Sequence, residues 1–459
     1  MRWIPRKYQS HAVRFGCDKE VCALLLDMGL GKTVCVLTIV AEEVDKCLTP
    51  GICVIAPPKV VDEVWEAEAQ KWDHTKHLKV VKVRGPAAKR DGILRRGGFD
   101  VYLVSYSNLL WLCDWMLENQ PPFDGMVFDE SSMMKSSSSK RFKRVKPFMP
   151  FMRRRMILTG TPASESLVNL WAQYYLLDQG TRLGKYVTHF KAEHYRQLDR
   201  MGYNLQLLKG HDELIYSKVR DITLSLRAKD HLDMKEPVVN IIKLDLGDRL
   251  LDKYKKFERE MFIEMEEEEA EIEAVNAAVL SNKCRQFTSG AIYNKASWKR
   301  LHDVKINALK EVIEQMNGQS LLVAYEFRHE AERFRKLWPN APIIGGGSKP
   351  KETSAAFKAW NAGKVPVMFV QPQSVGHGIN LQYGGHHLLW YTTTWSGERH
   401  DQTIARLQRQ GQPNLVTIHY LVCRHTVDLV VLAAQRRKGR TQAGMMEALA
   451  SYKKKVLAA

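Results

Sequence analysis

The stretch Leu24 to Thr33, L-L-L-D-M-G-L-G-K-T, constrains this chain more than any other. Ala23 to Leu26 is an unbroken apolar run, which predicts the end of a parallel strand buried on both faces. Gly29 and Gly31 follow, then Lys32 and Thr33, and from Val34 to Ala41 the apolar spacing suits a helix. Strand, glycine loop and helix in that order make a phosphate cradle. The glycines let backbone N–H groups approach phosphate oxygens, and the helix points its positive end at them. A lysine at the position of Lys32 reaches the β- and γ-phosphates, and Thr33 is placed to ligate Mg²⁺. Leu26 stands where the longer pattern G-x-x-x-x-G-K-[ST] has its first glycine, so this is a short G-x-G-K-T form.

Around this loop the first third of the chain alternates strands and helices. Gly51–Ala56, Val80–Val83, Val101–Ser105, Gly125–Phe128 and Met156–Leu158 read as strands. Val60 to Trp72 reads as one helix, with Val61, Val64, Trp65, Ala69 and Trp72 on its apolar face. Such alternation predicts a doubly wound parallel sheet, whose ligands bind at the carboxyl ends of the strands. From about Thr188 to Asp233 the pattern is helical and charged, with no strong strand. Pro237 to Leu246 reads as a strand-like connector, and Asp248 to about Phe287 as helical. The acidic run Glu264 to Glu273 within it reads as a solvated helix face. A second alternating block begins near Val304, with strands at Leu321–Ala324, Ile343–Ile344, Val367–Val370, Leu388–Tyr391 and Val416–Leu421. The expected divisions are a first lobe over 1–235 with a helical extension from about 180, a connector and insertion over 236–300, and a second lobe over 301–459.

A length of 459 residues supports two or three domains, and a net charge of +18 points to a polyanionic partner, nucleic acid first. The eight cysteines form no C-x-x-C and several lie in apolar runs, which reads as buried free thiols in a reducing compartment. The N-terminus M-R-W-I-P-R-K-Y-Q lacks the apolar core of a signal peptide, and no apolar run approaches a membrane span. The expectation is a cytoplasmic protein.

A second motif, Gly125 to Glu130, G-M-V-F-D-E, ends a buried strand in two acids. Asp129 suits Mg²⁺, and Glu130 suits orienting and deprotonating an attacking water. With D-M-G-L-G-K-T upstream and Leu158 to Pro162, L-T-G-T-P, downstream, the chain resembles the superfamily 2 helicase-like ATPases. It is most similar to the Swi/Snf-type DNA translocases in their compact bacterial or bacteriophage form, and the resemblance covers nearly its whole length. The fold it implies is α/β: two RecA-like doubly wound parallel-sheet lobes with helical insertions between them. Tyr8 and Gln9 resemble the adenine-reading element upstream of the phosphate loop. There the Gln amide would pair with adenine and Tyr8 would pack on its ring. Ile55–Pro58 with Trp65–Trp72, and Val104–Leu109, resemble two further motifs of the first lobe. Lys135 and Trp171 match a lysine after the acid pair and a tryptophan after T-G-T-P. Leu321–Phe327 and Gly376–Leu381, G-H-G-I-N-L, resemble motifs of the second lobe, the latter placing Gly378 at the nucleotide. Trp395, Gln402, Arg406, Arg409, Gly411 and Gln412 fall at the spacing of the last motif. Arg406 and Arg409, expected on one helix face, are implied to reach the γ-phosphate across a cleft, where an arginine finger stabilises transition-state charge.

The chain departs from the family at Ser131 and Ser132, which replace Ala-His after the acid pair. W-S-G stands at Trp395 to Gly397 for W-N-P, and Gln408 for a histidine. None of these removes a group that hydrolysis needs. The resemblance implies a DNA-dependent ATPase that uses ATP and Mg²⁺ and acts as a monomeric motor on double-stranded DNA. It would grip phosphates without reading bases. Lys59, Ser105, Tyr106, Ser107, Thr159, Ser374 and Asn380 are the expected DNA contacts, with the basic clusters Lys140–Lys146 and Arg153–Arg155 as further candidates. The competing readings are a strand-separating DNA or RNA helicase, a DNA-binding scaffold with a vestigial nucleotide site, and the motor subunit of a restriction complex.

Overall fold

The structure is a computed structural model. It describes residues 1–160, 166–197, 205–231, 235–267, 273–294, 297–375, 379–436 and 456, apart from the side chains of 229 and 262–280. Thr161, Pro162, Gly378 and part of the acidic run fall outside the described residues. The chain divides into two compact units, Met1–Asp233 and Met234–Ala459.

The first unit is built on a sheet whose strands are β1 (Val21–Leu26), β2 (Ile52–Ala56), β3 (Val80–Lys82), β4 (Val101–Ser105), β5 (Gly125–Asp129), β6 (Arg154–Leu158) and β9 (Thr223–Leu226). A small antiparallel hairpin, β7 (Tyr195–Gln197) with β8 (Leu205–Leu207), stands apart. The main sheet runs in the order β3-β4-β2-β5-β6-β1-β9, every pair parallel. The apolar runs become strands because helices cover both faces: β2, β4 and β5 are buried at every residue. Helices Lys7–Cys17 and Lys32–Asp45 cross so closely that a Cβ on Gly16 would lie 2.3 Å from Ile39 Cδ1.

Two expectations change here. Thr188–Asp233 contains a genuine sheet strand, β9, paired parallel to β1 from Ala23↔Thr223 to Leu26↔Leu226. The helix expected over Val60–Trp72 is two, Pro58–Glu63 and Trp65–Lys71, which meet at Val64.

The second unit carries β10 (Val238–Leu244), the hairpin β11 (Ala291–Asn294) and β12 (Ser297–Arg300), then β13 (Leu321–Ala324), β14 (Ile343–Ile344), β15 (Val367–Val370), β16 (His387–Trp390) and β17 (Thr417–Cys423). Its sheet runs β10-β17-β16-β13-β15-β14, again all parallel. The two-residue period of the strands splits its core into two. Leu322, Ala324, Met368, Val370 and Trp390 pack on one face, while Leu321, Val323, Phe369, Leu389 and Leu421 pack on the other. The stretch expected as a connector, Pro237 to Leu246, is instead an edge strand of this sheet, in register with β17 from Val238↔Thr417 to Leu244↔Cys423. Helices Asp248–Glu267 and Glu273–Thr288 dock here through Tyr254, Cys284 and Phe287 on Cys423, Val427 and Val431.

All eight cysteines are unbonded. Six are buried, Cys17 is half-buried and Cys47 is exposed. Among the described residues no helix is long and apolar enough to cross a membrane.

Candidate nucleotide-binding site

The phosphate loop leaves β1 at Leu26 and enters the helix Lys32–Asp45 at Gly31. Gly29 (φ 88°) and Gly31 (φ 81°) occupy the left-handed region, which residues with a Cβ avoid. Space reinforces the requirement at Gly31, where a Cβ would sit 2.7 Å from Gln9 Nε2. The loop is pinned at its start. Asp27 N–H donates to Leu226 O at 3.0 Å, and Asp27 Oδ2 accepts from Ala228 N–H at 2.9 Å. The strand that sequence reading missed therefore anchors the loop. Lys32 Nζ donates to Leu26 O at 2.8 Å, across the mouth of the cradle.

The Gln9 amide donates to Leu30 O at 3.2 Å and accepts from Arg6 N–H at 3.0 Å, which couples the first helix to the loop. Tyr8 is buried, and its ring meets His231 at 5.1 Å between centroids.

The acid pair sits at the carboxyl end of β5. Asp129 Oδ2 accepts from Trp65 Nε1–H at 2.9 Å, and its Oδ1 accepts from Glu130 N–H at 3.0 Å. Burial pushes the Asp129 carboxyl up to about 6, helped by the charge of Glu130 and opposed by the Trp65 hydrogen bond and by Lys32. Lys32 and Asp129 thus lie within electrostatic reach of one another. Tyr106 donates its hydroxyl proton to Asp129 O at 3.0 Å. Glu130 adopts φ 52°, a left-handed conformation that costs a residue with a Cβ roughly 1–2 kcal/mol. Met133 N–H donates to the Glu130 carbonyl at 3.0 Å and closes that turn. Glu130 Oε2 is buried without a hydrogen-bond partner among the described residues. A buried carboxylate oxygen lacking a donor, beside a glycine cradle and a lysine, is the arrangement that a polar ligand completes. These residues fit a nucleotide triphosphate with Mg²⁺, Thr33 and Asp129 being the groups that would hold the ion.

Ser131, one of the two departures after the acid pair, donates to Gln173 Oε1 at 2.7 Å, and Gln173 Nε2 donates to Asn169 O. The replacement thus ties the acid pair to the helix Val168–Asp178. Trp171 of that helix donates to Gly184 O.

In the second unit, the helix expected to carry both arginines runs from Gly397 to Ile404 and stops. Arg406 and Arg409 lie in the turn beyond it. The turn forms because Arg406 gives up its carbonyl to Leu381 N–H (3.1 Å) and its guanidinium to Ile379 O (3.1 Å). Arg406 is buried, while Arg409 is half-buried and donates to Asn380 Oδ1. Both side chains therefore hang on the segment Ile379 to Leu381.

Comparison with known proteins fits this geometry. The profile of the SNF2-related domain matches residues 8–289. The chain belongs to the SNF2-related family. A bacteriophage protein from an Acyrthosiphon pisum secondary endosymbiont, putative protein p41, is 33% identical over 97% of this chain and 99% of its own length. An uncharacterized ATP-dependent helicase of Mycoplasma genitalium is 22% identical over 94% of this chain, and the CHD3-type chromatin-remodeling factor PICKLE of Arabidopsis thaliana is 24% identical over 93%. The chain spans only 41% and 33% of those two longer proteins. The solved Sulfolobus solfataricus SWI2/SNF2 ATPase core in complex with dsDNA covers 99% of this chain and is itself covered to 95%, with 20% identity and a TM-score of 0.45. Family membership makes this an ATP-hydrolysing, helicase-like enzyme.

The residues expected to touch DNA in this SNF2-related enzyme separate into two groups. Tyr106 (1% exposed) and Thr159 (0%) are inside the first unit, so both need correcting. Tyr106 spends its hydroxyl on the Asp129 carbonyl and holds the acid pair in place. Thr159 N–H closes on Leu24 O at 3.4 Å, deep in the sheet. Ser105 is also buried and shares a hydrogen bond with Ser107 Oγ. Ser107 and Asn380 are exposed, and Lys59 and Ser374 half-buried. Arg153–Arg155 is no phosphate-binding face: Arg154 pairs with buried Glu43, Arg153 bridges Glu43 and Asp124, and Arg155 donates to Met149 O. Trp65 and Asp27 are the site residues that sequence reading passed over as chemistry. Trp65 was legible only as an apolar-face residue. Asp27 had a signal, as the sole acid inside the loop motif.

Proposed function

We propose that this enzyme is an ATP-dependent translocase on double-stranded DNA. The observation that carries the reading is the constellation of Lys32, Asp129 and Glu130 around one glycine cradle, with a carboxylate oxygen of Glu130 buried and awaiting a donor. Backbone N–H groups at Gly29 and Gly31 and the ammonium of Lys32 receive the phosphates. Thr33 and Asp129 hold Mg²⁺, which when bound neutralises phosphate charge. Trp65 and Tyr106 keep Asp129 and the following turn fixed, so Glu130 meets the attacking water already oriented and takes its proton. Arg406 and Arg409 of the second lobe supply positive charge to the transferred phosphoryl group. Gly378, outside the described residues, belongs to the same proposal, as does the monomeric state.

Support for duplex DNA comes from the net charge of +18 and from relatives whose names include a chromatin-remodeling factor and a DNA excision repair protein. Lys59, Ser107, Ser374 and Asn380 remain the proposed phosphate contacts. The test is steady-state ATP hydrolysis without nucleic acid and with equal lengths of duplex DNA, single-stranded DNA and RNA. Duplex DNA should stimulate most. Stronger stimulation by RNA, or none by duplex, overturns the proposal.

A further inference from the structure

Sequence reading gave Tyr8 the role of packing on adenine, but that ring is buried, at 6% exposure. Its neighbour is His231, whose ring lies 5.1 Å away with the two planes inclined by 34°. His231 itself is exposed. It ends the short turn of helix Ala228–His231, which directly follows β9. This segment is fastened to the phosphate loop. Asp27 binds it from both sides, through the Leu226 carbonyl and the Ala228 amide. Gln9, adjacent to Tyr8, is fastened to the same loop through Leu30 O. The loop thus holds two elements from opposite ends of the first unit, one carrying the exposed His231 ring and the other the Gln9 amide.

A purine is bound by offering a π-face and an amide edge together. Tyr8 is buried against His231, so it backs that second ring. The geometry points to His231 as the base-stacking platform of the nucleotide site, backed by Tyr8 and placed by Asp27. This rests on the proposed binding of ATP at the glycine cradle and adds the group that engages the base. It also gives β9 a function beyond closing the sheet edge, since a slip of β9 along β1 would carry the platform away from the loop.

The test compares MgATP with magnesium tripolyphosphate, which carries the phosphates and no base, by titration calorimetry on the full chain. His231→Ala should weaken MgATP about tenfold, within the range that loss of one base–aromatic stack produces. It should leave tripolyphosphate binding unchanged. His231→Phe keeps the ring and should restore MgATP affinity to within about twofold of the parent. Unchanged MgATP affinity in His231→Ala, or an equal loss in His231→Phe, overturns the stacking role. The wild-type chain and Lys32→Ala separate this failure from that of the underlying reading. If the parent binds MgATP in a Lys32-dependent manner while His231→Ala binds it equally well, only the platform is wrong. If the parent binds neither probe, both fall.

Discussion

In the first lobe Asp129 and Glu130 end a strand buried at all five residues, and Trp65, Tyr106 and the backbone of Met133 hold them from three directions. In the second lobe Arg406 and Arg409 stand beyond the last turn of a helix and are held through Ile379, Asn380 and Leu381. The difference is between chemistry mounted on a core and chemistry mounted on a loop. Packing density allows the acid pair almost no alternative position, so its geometry is preorganised before nucleotide arrives. A turn held in part through a neighbouring segment can shift when that segment moves, as elements that gate turnover do. Substitutions in the first lobe should therefore remove chemistry outright. Those in the second should reveal how far chemistry depends on placement.

Glu130→Gln should show the largest effect. The amide is nearly isosteric and keeps the left-handed turn, but it cannot take a proton from water. Turnover should fall on the order of 10⁴-fold with nucleotide affinity retained. Single-turnover hydrolysis beside equilibrium nucleotide binding checks this, and near-parental hydrolysis would remove Glu130 from the role of base. Arg409→Ala comes next, with an expected loss on the order of 10³-fold in turnover and little change in nucleotide or duplex affinity. A loss confined to nucleotide affinity would turn the comparison around, making the second-lobe arginine a binding group.

Trp65→Phe probes the mounting of the acid pair. It removes the donor to Asp129 Oδ2 while keeping most of the buried aromatic volume. Leaving a buried carboxylate oxygen short of a donor costs roughly 1–3 kcal/mol, so turnover should drop about tenfold if that cost appears in the transition state. Thermal unfolding measured alongside decides where it appears. A lower Tm with unchanged turnover would mean that Trp65 supports the fold and does not position the acid pair.

The sequence made the mounted chemistry easier to read than the hung chemistry. Strands buried on both faces write themselves as apolar runs, and V-C-A-L-L-L or G-M-V-F-D leave little choice. β9, T-L-S-L, carries two hydroxyl residues and closes the sheet at its edge, where only one side needs a partner strand. Apolar density therefore gave no signal. β10 was legible as a strand but not as a sheet member: its exposed Val238 and Val239 resemble a linker until β17 supplies the partner. The site shows the same division. Lys32, Asp129 and Glu130 stand in short contiguous motifs that can be read along the chain, whereas Arg406 beyond the helix end at Ile404 gives its carbonyl to Leu381, remote in sequence. Tyr106 and Thr159 misled because a hydroxyl at a strand end looks like a phosphate donor whether it faces solvent or core.

Asn380 gives the smallest expected effect and the finest discrimination. Sequence reading placed it on the DNA path, while in the structure its side-chain oxygen accepts from Arg409 and its carbonyl accepts from Asn361 Nδ2 at 2.7 Å. The backbone contact survives substitution, so Asn380→Ala removes one acceptor and leaves the segment in place. If Asn380 aims Arg409, turnover at saturating duplex DNA should fall a few-fold, about the cost of one charge-assisted hydrogen bond shared among rotamers. Duplex affinity should stay the same. Asn380→Asp should be worse than alanine, because a carboxylate would grip the guanidinium more strongly and withhold its charge from the phosphate. If Asn380 serves DNA, Asn380→Ala should instead weaken duplex affinity and leave turnover at saturation intact. Combining Asn380→Ala with Arg409→Ala settles the matter. Residues acting through one another are non-additive, so the double variant should turn over no more slowly than Arg409→Ala alone. A fully additive loss would mean that the loop holds Arg409 without directing it, and the contrast between the two lobes would then rest on Ile379 and Leu381.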